Sequence, residues 1–459
     1  MTNLNIAVIG AGRSGLVAAR HVVQEGFSVT VYEKNETIGG TWQYTEKTGK
    51  DEHGLEIHTA MYKKLRTNGP IQFLAYSDFP FQDRTKSYPS HTEVFKYFES
   101  YADHFNLKQF IKFSHNVIRV TPIENERWEI IVKDLVNGTF ETRIYDAVLV
   151  ANGHFSAPNI PQIPGASEFK GKMIHSHDFR DAERYRGDLV LIIGGGLSGT
   201  DIVHLCTNTA ERITWSRRKP PTKTFLENQN NQILSNVSLQ GEVKRFTLTG
   251  AEFSNGSHET FSVIIFATGY DYKCPFLSID CGIFVEDLYV QPLYKHIINI
   301  EHPTMAFIGL VFAPDHDLGI KFAMKFISGA KKLPTKREMI DDAQNQYQLS
   351  WNTAVSEKKM NLYFDVFFDY LNQLSDAADI ERYPKVLRSI SDDSFKNKTL
   401  KNTEILTILL SMRKHLLKKF IGNDSNGQQF TVLAQLTKLK IFIQFFEITL
   451  GSEATIEHL

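Results

Sequence analysis

The chain alternates short apolar runs with glycine turns and longer stretches whose apolar residues recur at helical spacing. That pattern occurs twice. The run Ile6-Ala7-Val8-Ile9 enters Gly10-Ala11-Gly12-Arg13-Ser14-Gly15, continues through a helical stretch from Leu16 to Glu25, and returns as a strand from Ser28 to Glu33. The run Leu189-Val190-Leu191-Ile192-Ile193 enters Gly194-Gly195-Gly196-Leu197-Ser198-Gly199, continues through Thr200 to Cys206, and returns as a strand from Arg212 to Ser216. Each copy reads as strand, tight turn, helix and parallel strand. Each half also closes alike, with Val148-Leu149-Val150-Ala151-Asn152-Gly153 echoing Ile264-Ile265-Phe266-Ala267-Thr268-Gly269. The fold class predicted is α/β, with two Rossmann-type dinucleotide-binding domains and a helical C-terminal extension.

A GxGxxG between a strand and a helix has a physical role at each glycine. The first permits the tight turn, the second lets backbone approach a pyrophosphate, and the third brings helix against strand, leaving the helix amides aimed at the anion. Gly10, Gly12, Ser14 and Gly15 are the candidate binding residues of the first turn; Gly194, Gly196, Ser198, Gly199, Thr200 and Asp201 are those of the second. The bland alternative is a glycine turn that only packs.

The residue ending the second strand separates ligands, because a carboxylate there accepts ribose hydroxyls and repels a phosphate on the same ribose. Counting 23 positions from the first glycine gives Glu33 in the first unit and Arg217 in the second, flanked by Ser216 and Arg218. A guanidinium beside a hydroxyl suits an extra phosphate, so the second ligand reads as NADPH, while Glu33 suits the ribose of FAD. A solvated basic edge is the alternative for the two arginines.

Composition narrows the class further. With 459 residues the chain is long enough for two or three domains. Its 51 basic and 52 acidic side chains nearly cancel, which argues against nucleic acid or an anionic membrane as partner. The three cysteines, Cys206, Cys274 and Cys281, have neither CxxC nor paired spacing, so a disulfide scaffold or zinc site is not expected and a reducing, cytoplasmic setting is. The run at Ile6 is too short for a signal sequence, and Ile441 to Leu450 is broken by Gln444 and Glu447, so no membrane span is expected and the protein reads as soluble. A homo-oligomer fits the size, but no heptad sets a subunit number.

Over positions 4 to 335 the chain resembles the flavin-containing monooxygenases. The family hallmark FxGxxxHxxx(F/Y) is present from Phe169 through Gly171 and His175 to Phe179. Gly39-Gly40-Thr41-Trp42, Asp78-Phe79-Pro80-Phe81 and Phe266-Ala267-Thr268-Gly269-Tyr270 follow the family in order. Baeyer-Villiger relatives usually carry tryptophan where this chain has Phe179, so the resemblance favours nitrogen or sulfur nucleophiles over ketones. Leu65-Arg66-Thr67-Asn68-Gly69-Pro70 is similar to a family loop whose asparagine lies beside flavin and nicotinamide, which makes Asn68 the catalytic candidate and Thr67 its neighbour at the cofactor. An amide donates and accepts without charge, so it can hold flavin or peroxide oxygen without acting as a base; Asn-Gly-Pro is also strong turn chemistry. Gly40, Thr41 and Trp42 are expected at the cofactor, and Val117 resembles a position whose backbone meets the FAD adenine. His175 reads as structural.

The resemblance implies reduction of FAD by NADPH and oxygenation of a soft nucleophile through a C4a-hydroperoxyflavin, with a tertiary amine or alkaloid nitrogen as leading substrate. A thioether or thiol, a ketone, an uncoupled NADPH oxidase and a non-catalytic nucleotide sensor remain alternatives. It implies an FAD-binding domain at 1–158 and 282–340, an NADPH-binding domain at 159–281 and a helical region at 341–459. Helix-like blocks fall at Lys336 to Leu349, Lys358 to Leu374 and Leu400 to Phe420. Asp315, His316 and Asp317 read as a solvated turn, since consecutive loop residues without a spaced partner make a poor metal site.

Overall fold

A computed structural model describes residues 3–82, 86–218, 235–286, 289–310, 316–354 and 360–382. The block from Leu400 to Phe420 and the run from Ile441 lie outside the described residues, as does Asp315.

Both glycine repeats open the sheets expected of them. The first sheet has seven strands, in the order Leu293–Tyr294, Ile298–Asn299, Met305–Phe307, Ala147–Val150, Asn5–Ile9, Ser28–Tyr32 and Ile111–Lys112. Its five strands from Met305–Phe307 to Ile111–Lys112 are parallel. The second has five, all parallel, in the order Val237–Gln240, Arg212–Ser216, Leu189–Ile193, Val263–Phe266 and Lys172–His175. Ala147–Val150 and Val263–Phe266 are buried at every position, which is why these strands read as unbroken apolar runs.

Helix Arg13–Gln24 follows the first strand and Leu197–Cys206 the equivalent strand of the second sheet. Both begin three residues before the helical stretch read from sequence, because Gly12 and Gly196 are the N-caps and the helix starts inside the motif. Three antiparallel strands, His115–Ile123, Arg127–Asp134 and Phe140–Tyr145, pack Trp128 and Ile130 with Ala7, Tyr32, Val148 and Phe307 in the first core. The second core sets Phe179, Tyr185 and Trp215 against Ile192, Ile202 and Ile265. The two segments joining the sheets pair with each other, Ala157–Pro158 against Tyr270–Asp271.

A second compact unit comprises the described residues of 69–89, 312–333 and 344–382. Within it helix His316–Ile327 packs on Met360–Ala378. His316 and Asp317 form the first turn of that helix, which corrects the reading of a solvated turn. Asp317 is buried, and its carboxylate accepts hydrogen bonds from Ser77 at 2.6 Å and Lys321 at 2.5 Å. Among the described residues no cluster of side chains could hold a metal and no helix is long and apolar enough to cross a membrane.

Candidate functional site

The two turns share one geometry. Gly10 and Gly194 adopt φ of 104° and 126°, where a Cβ would meet the carbonyl oxygens of Ala151 and Ala267 at 2.6 and 2.1 Å. A Cβ on Gly15 would sit 1.8 Å from the Gly10 oxygen, and one on Gly199 would sit 2.3 Å from the Gly194 oxygen. These four glycines are fixed by the protein itself.

Gly12 and Gly196 are different. Their φ values of −77° and −78° suit any residue. A Cβ on Gly12 would touch Gly40 Cα at an ordinary 3.5 Å, and one on Gly196 would meet no atom within 4 Å. Packing does not account for a glycine at either position. Both residues are N-caps with no side-chain cap, and neither helix carries an acid in its first turn. No side chain of the cap residue or acid of the first turn meets the leading amides of either helix. The side chains of Ser14, Ser198 and Thr200 stand on these first turns.

Glu33 and Arg217 occupy matching places with opposite polarity. Buried Glu33 accepts a hydrogen bond from Ala11 N–H, at 2.7 Å, through one oxygen and from Asn35 N–H, at 2.9 Å, through the other. Burial pushes its carboxyl up, against the pull of those two amides and Lys34. The Arg217 guanidinium donates to the Gly195 carbonyl at 3.4 Å and lies 4.5 Å over the Trp215 ring. Ala11 and Gly195 each directly follow the first glycine of their turn. The carboxylate thus takes the N–H of that residue in one unit and the guanidinium meets its C=O in the other. Ser216 donates its hydroxyl to the Gly241 carbonyl at 2.8 Å, and Trp215 donates its indole N–H to the Gly194 carbonyl at 2.8 Å.

The segment after the first unit folds back on its turn. Gly39 N–H donates to the Ala11 carbonyl at 3.0 Å, and a Cβ on Gly40 would lie 3.1 Å from Gly12 Cα. Thr41 offers its carbonyl to the Thr59 hydroxyl at 2.5 Å, and half-buried Trp42 meets Phe98 edge-on at 6.3 Å. Thr67 is buried, and its hydroxyl has no hydrogen-bond partner among the described residues. Asn68 beside it is exposed. Val117 is buried in the first core, paired with Val132 of the next strand. Phe179 is a core residue too, stacked on Tyr185 at 5.5 Å.

His175 is buried, its Nδ1 accepts the His177 N–H at 3.1 Å, and its ring meets Tyr270 edge-on at 5.2 Å. Burial first, then neighbouring His177, holds its pKa down to about 4. The unfolded chain takes up that proton near pH 6.5, so this contribution to stability is complete above about pH 6.5 and is lost as pH falls toward 4. We expect His175→Gln to flatten the loss of stability between pH 6.5 and 4 by up to about 1.4 kcal/mol per pH unit in denaturant titrations. Parallel pH profiles for the two proteins would contradict this.

Sequence reasoning passed over Tyr62 and Arg180. The Tyr62 hydroxyl donates to the Asp201 carboxylate at 2.5 Å, joining the segment after the first turn to the helix of the second. Burial and that carboxylate push the phenol up. Arg180 directly follows the hallmark phenylalanine and is fully buried; its position there was the only sequence signal.

Comparison with known proteins agrees with this pair of turns. A flavin-binding monooxygenase-like family model matches residues 3–222 and 222–395. The senecionine N-oxygenase of Tyria jacobaeae is 34% identical over 399 residues, covering 86% of each chain. The flavin-containing monooxygenase FMO GS-OX4 of Arabidopsis thaliana is 34% identical over 399 residues, 82% of this chain and 84% of that one. The solved structure of S-allyl-L-cysteine S-oxygenase from Allium sativum superposes with a TM-score of 0.77 at 28% identity, covering 88% of this chain and 97% of that one. With two Rossmann-type units and relatives matched over most of its length, the chain belongs to the flavin-binding monooxygenase-like family and is a flavin-dependent monooxygenase.

Proposed function

We propose that the chain uses NADPH and O2 to oxygenate a soft nucleophile, first a tertiary amine nitrogen, with FAD in the first turn and NADPH in the second. The observation that carries this reading is the reversal of charge at one offset, Glu33 against the Ala11 amide and Arg217 against the Gly195 carbonyl. The room left at Gly12 and Gly196 fits a pyrophosphate at each helix start. On this reading 1–158 and 282–340 form the FAD unit and 159–281 the NADPH unit; the strands of the seven-stranded sheet all lie in the first and those of the five-stranded sheet in the second.

FAD, when bound, supplies the redox and oxygen chemistry; the protein supplies position and exclusion of water. Glu33 holds the ribose of FAD, and Gly12, Ser14 and the Gly40–Trp42 segment close around its pyrophosphate. Ser216 and Arg217 hold the ribose phosphate of NADPH, with Gly196, Ser198, Thr200 and Asp201 at its pyrophosphate. Thr67 and Asn68 offer a hydroxyl and an amide to the reacting end. The buried, unsatisfied Thr67 hydroxyl supports that placement, since such a group costs about 1–3 kcal/mol unless a partner arrives.

Nitrogen is placed first because a senecionine N-oxygenase is among the relatives. Sulfur is the second reading, favoured by the likeness to S-allyl-L-cysteine S-oxygenase. Incubating the holoprotein with NADPH, O2 and a mixture of tertiary amines, thioethers and ketones should give an N-oxide that has gained one oxygen atom, with one NADPH consumed per product. A sulfoxide alone would move the assignment to sulfur. NADPH consumption that yields only hydrogen peroxide across the mixture would overturn the oxygenase reading.

A further inference from the structure

Arg180 is a buried cation that meets backbone carbonyls from two parts of the chain. Its Nε and Nη2 donate to the Lys47 carbonyl at 3.2 and 3.0 Å. Nη2 also reaches the Thr59 carbonyl at 3.1 Å, and Nη1 the Met61 carbonyl at 3.4 Å. On its own side Nη1 donates to the carbonyls of His177, at 2.6 Å, and Phe179, at 3.3 Å. Taking a guanidinium out of water costs several kcal/mol, and its fixed fork of donors recovers this only where acceptors stand in matching directions. Three of those acceptors lie on one excursion of the first nucleotide unit, residues 44–63.

That excursion runs from one glycine turn to the other. It leaves Gly40, which lies against Gly12, passes Lys47 and Thr59 at the Arg180 guanidinium, and ends with Tyr62 bonded to Asp201 on the helix of the second turn. Around Arg180 the seam is reinforced. Lys63 N–H donates to the Arg180 carbonyl at 2.8 Å, the Lys63 ammonium pairs with Asp181 at 3.1 Å, and Arg184 pairs with Glu46. The edge of the Tyr62 ring meets Phe179 at 5.6 Å.

We propose that Arg180 is a positioning residue for flavin reduction, clamping the 44–63 excursion to the second nucleotide unit and so fixing how the bound NADPH faces the bound flavin. The inference rests on the assignment of FAD and NADPH to the two turns. A lysine cannot replace the clamp fully, since its three donors radiate from one point and cannot span carbonyls spread along Lys47, Thr59 and Met61.

The test compares wild type, Arg180→Lys, Arg180→Met and Tyr62→Phe as FAD-loaded proteins, reduced anaerobically with saturating NADPH and separately with dithionite. A misplacement of about 1 Å can cost about 100-fold in rate. Arg180→Met should therefore bleach at least about tenfold more slowly with NADPH, Arg180→Lys should fall between, and NADP+ affinity, flavin content and dithionite reduction should hold. Hydrogen exchange on the flavin-free proteins supplies a readout independent of turnover. Residues 44–63 should lose protection in Arg180→Met while Asn5–Ile9 and Leu189–Ile193 keep theirs. Should Arg180→Met fail to fold, Tyr62→Phe, which removes only the bond to Asp201, should still slow NADPH bleaching at full flavin content.

An Arg180→Met protein that bleaches as fast as wild type, or unchanged exchange over 44–63, overturns the inference alone. So does a Tyr62→Phe protein at the wild-type rate where Arg180→Met cannot be made. Wild-type protein that stays yellow under NADPH overturns the functional reading and this inference together.

Discussion

Gly196→Ala should fold with at most about 1 kcal/mol of lost stability, the cost of alanine at an N-cap, yet lose NADPH affinity, whereas Gly199→Ala, three residues on, should be destabilised more. The two substitutions add the same methyl group to different surroundings. At Gly196 the backbone φ is ordinary and no protein atom lies within 4 Å of the new Cβ. At Gly199 the Cβ arrives 2.3 Å from the Gly194 carbonyl oxygen, and a backbone oxygen cannot swing aside as a side chain can. Overpacking of that kind costs about 1–3 kcal/mol in the folded protein, visible as a lowered denaturation midpoint. At Gly196 the same cost falls on the complex, so the Kd for NADPH should rise about 10- to 100-fold. The first turn carries the parallel expectation. Gly12→Ala should fold but purify with little flavin, and Gly15→Ala, whose Cβ would sit 1.8 Å from the Gly10 oxygen, should be unstable with or without it. Calorimetry of the apoproteins beside titration with NADP+ and FAD separates the two effects. Equal loss of stability at Gly196 and Gly199 would return both to mere packing and remove the case for a ligand at the second turn.

The same contrast explains what could be read from the chain. Gly15 and Gly199 announce themselves because their constraint is local, the carbonyl of the glycine five residues before, and Gly10 and Gly194 because the turn itself requires a positive φ, although the carbonyls that crowd them belong to Ala151 and Ala267. The placement of Glu33 and Arg217 directly after matching strands was legible because each ends a strand, turn, helix and strand unit of the same overall length. Arg180 was not, since its partners are carbonyls 121 and 133 positions away. A carbonyl belongs to every residue, so no pattern of residue types marks Lys47, Thr59 and Met61 as acceptors. Tyr62 and Asp201, 139 positions apart, escaped for the same reason of separation. Asp317 was misread because one of its partners, Ser77, is 240 positions distant; seen alone, Asp-His-Asp resembles a turn. Helix starts were placed late because a glycine N-cap offers none of the usual Ser, Thr, Asp or Asn signal.

Arg217→Glu should raise the KM for NADPH about 100-fold while changing that for NADH little, collapsing the preference between the two nucleotides. The protein itself holds the guanidinium over the Trp215 ring at 4.5 Å and against the Gly195 carbonyl at 3.4 Å, so on the proposed reading a contact with a ribose phosphate would require little further ordering. Removing a charge-assisted contact of this kind costs about 1.5–3 kcal/mol, and a carboxylate in its place adds repulsion toward the phosphate dianion. The effect on NADH has the opposite sign. Glu33 at the same offset keeps its carboxylate on the amide after the first glycine, and a glutamate at 217 could take the matching place on Gly195 N–H and accept a ribose hydroxyl. Arg217→Lys should fall between, keeping the charge but losing the fork and its broad stacking on Trp215, with a rise in KM of about tenfold. Steady-state kinetics with both nucleotides, at a salt concentration held constant because such contacts are screened, decides the matter. If the ratio of kcat/KM for NADPH to that for NADH is the same in Arg217→Glu as in wild type, Arg217 is a solvated edge residue, and the second turn must recognise its nucleotide by other groups.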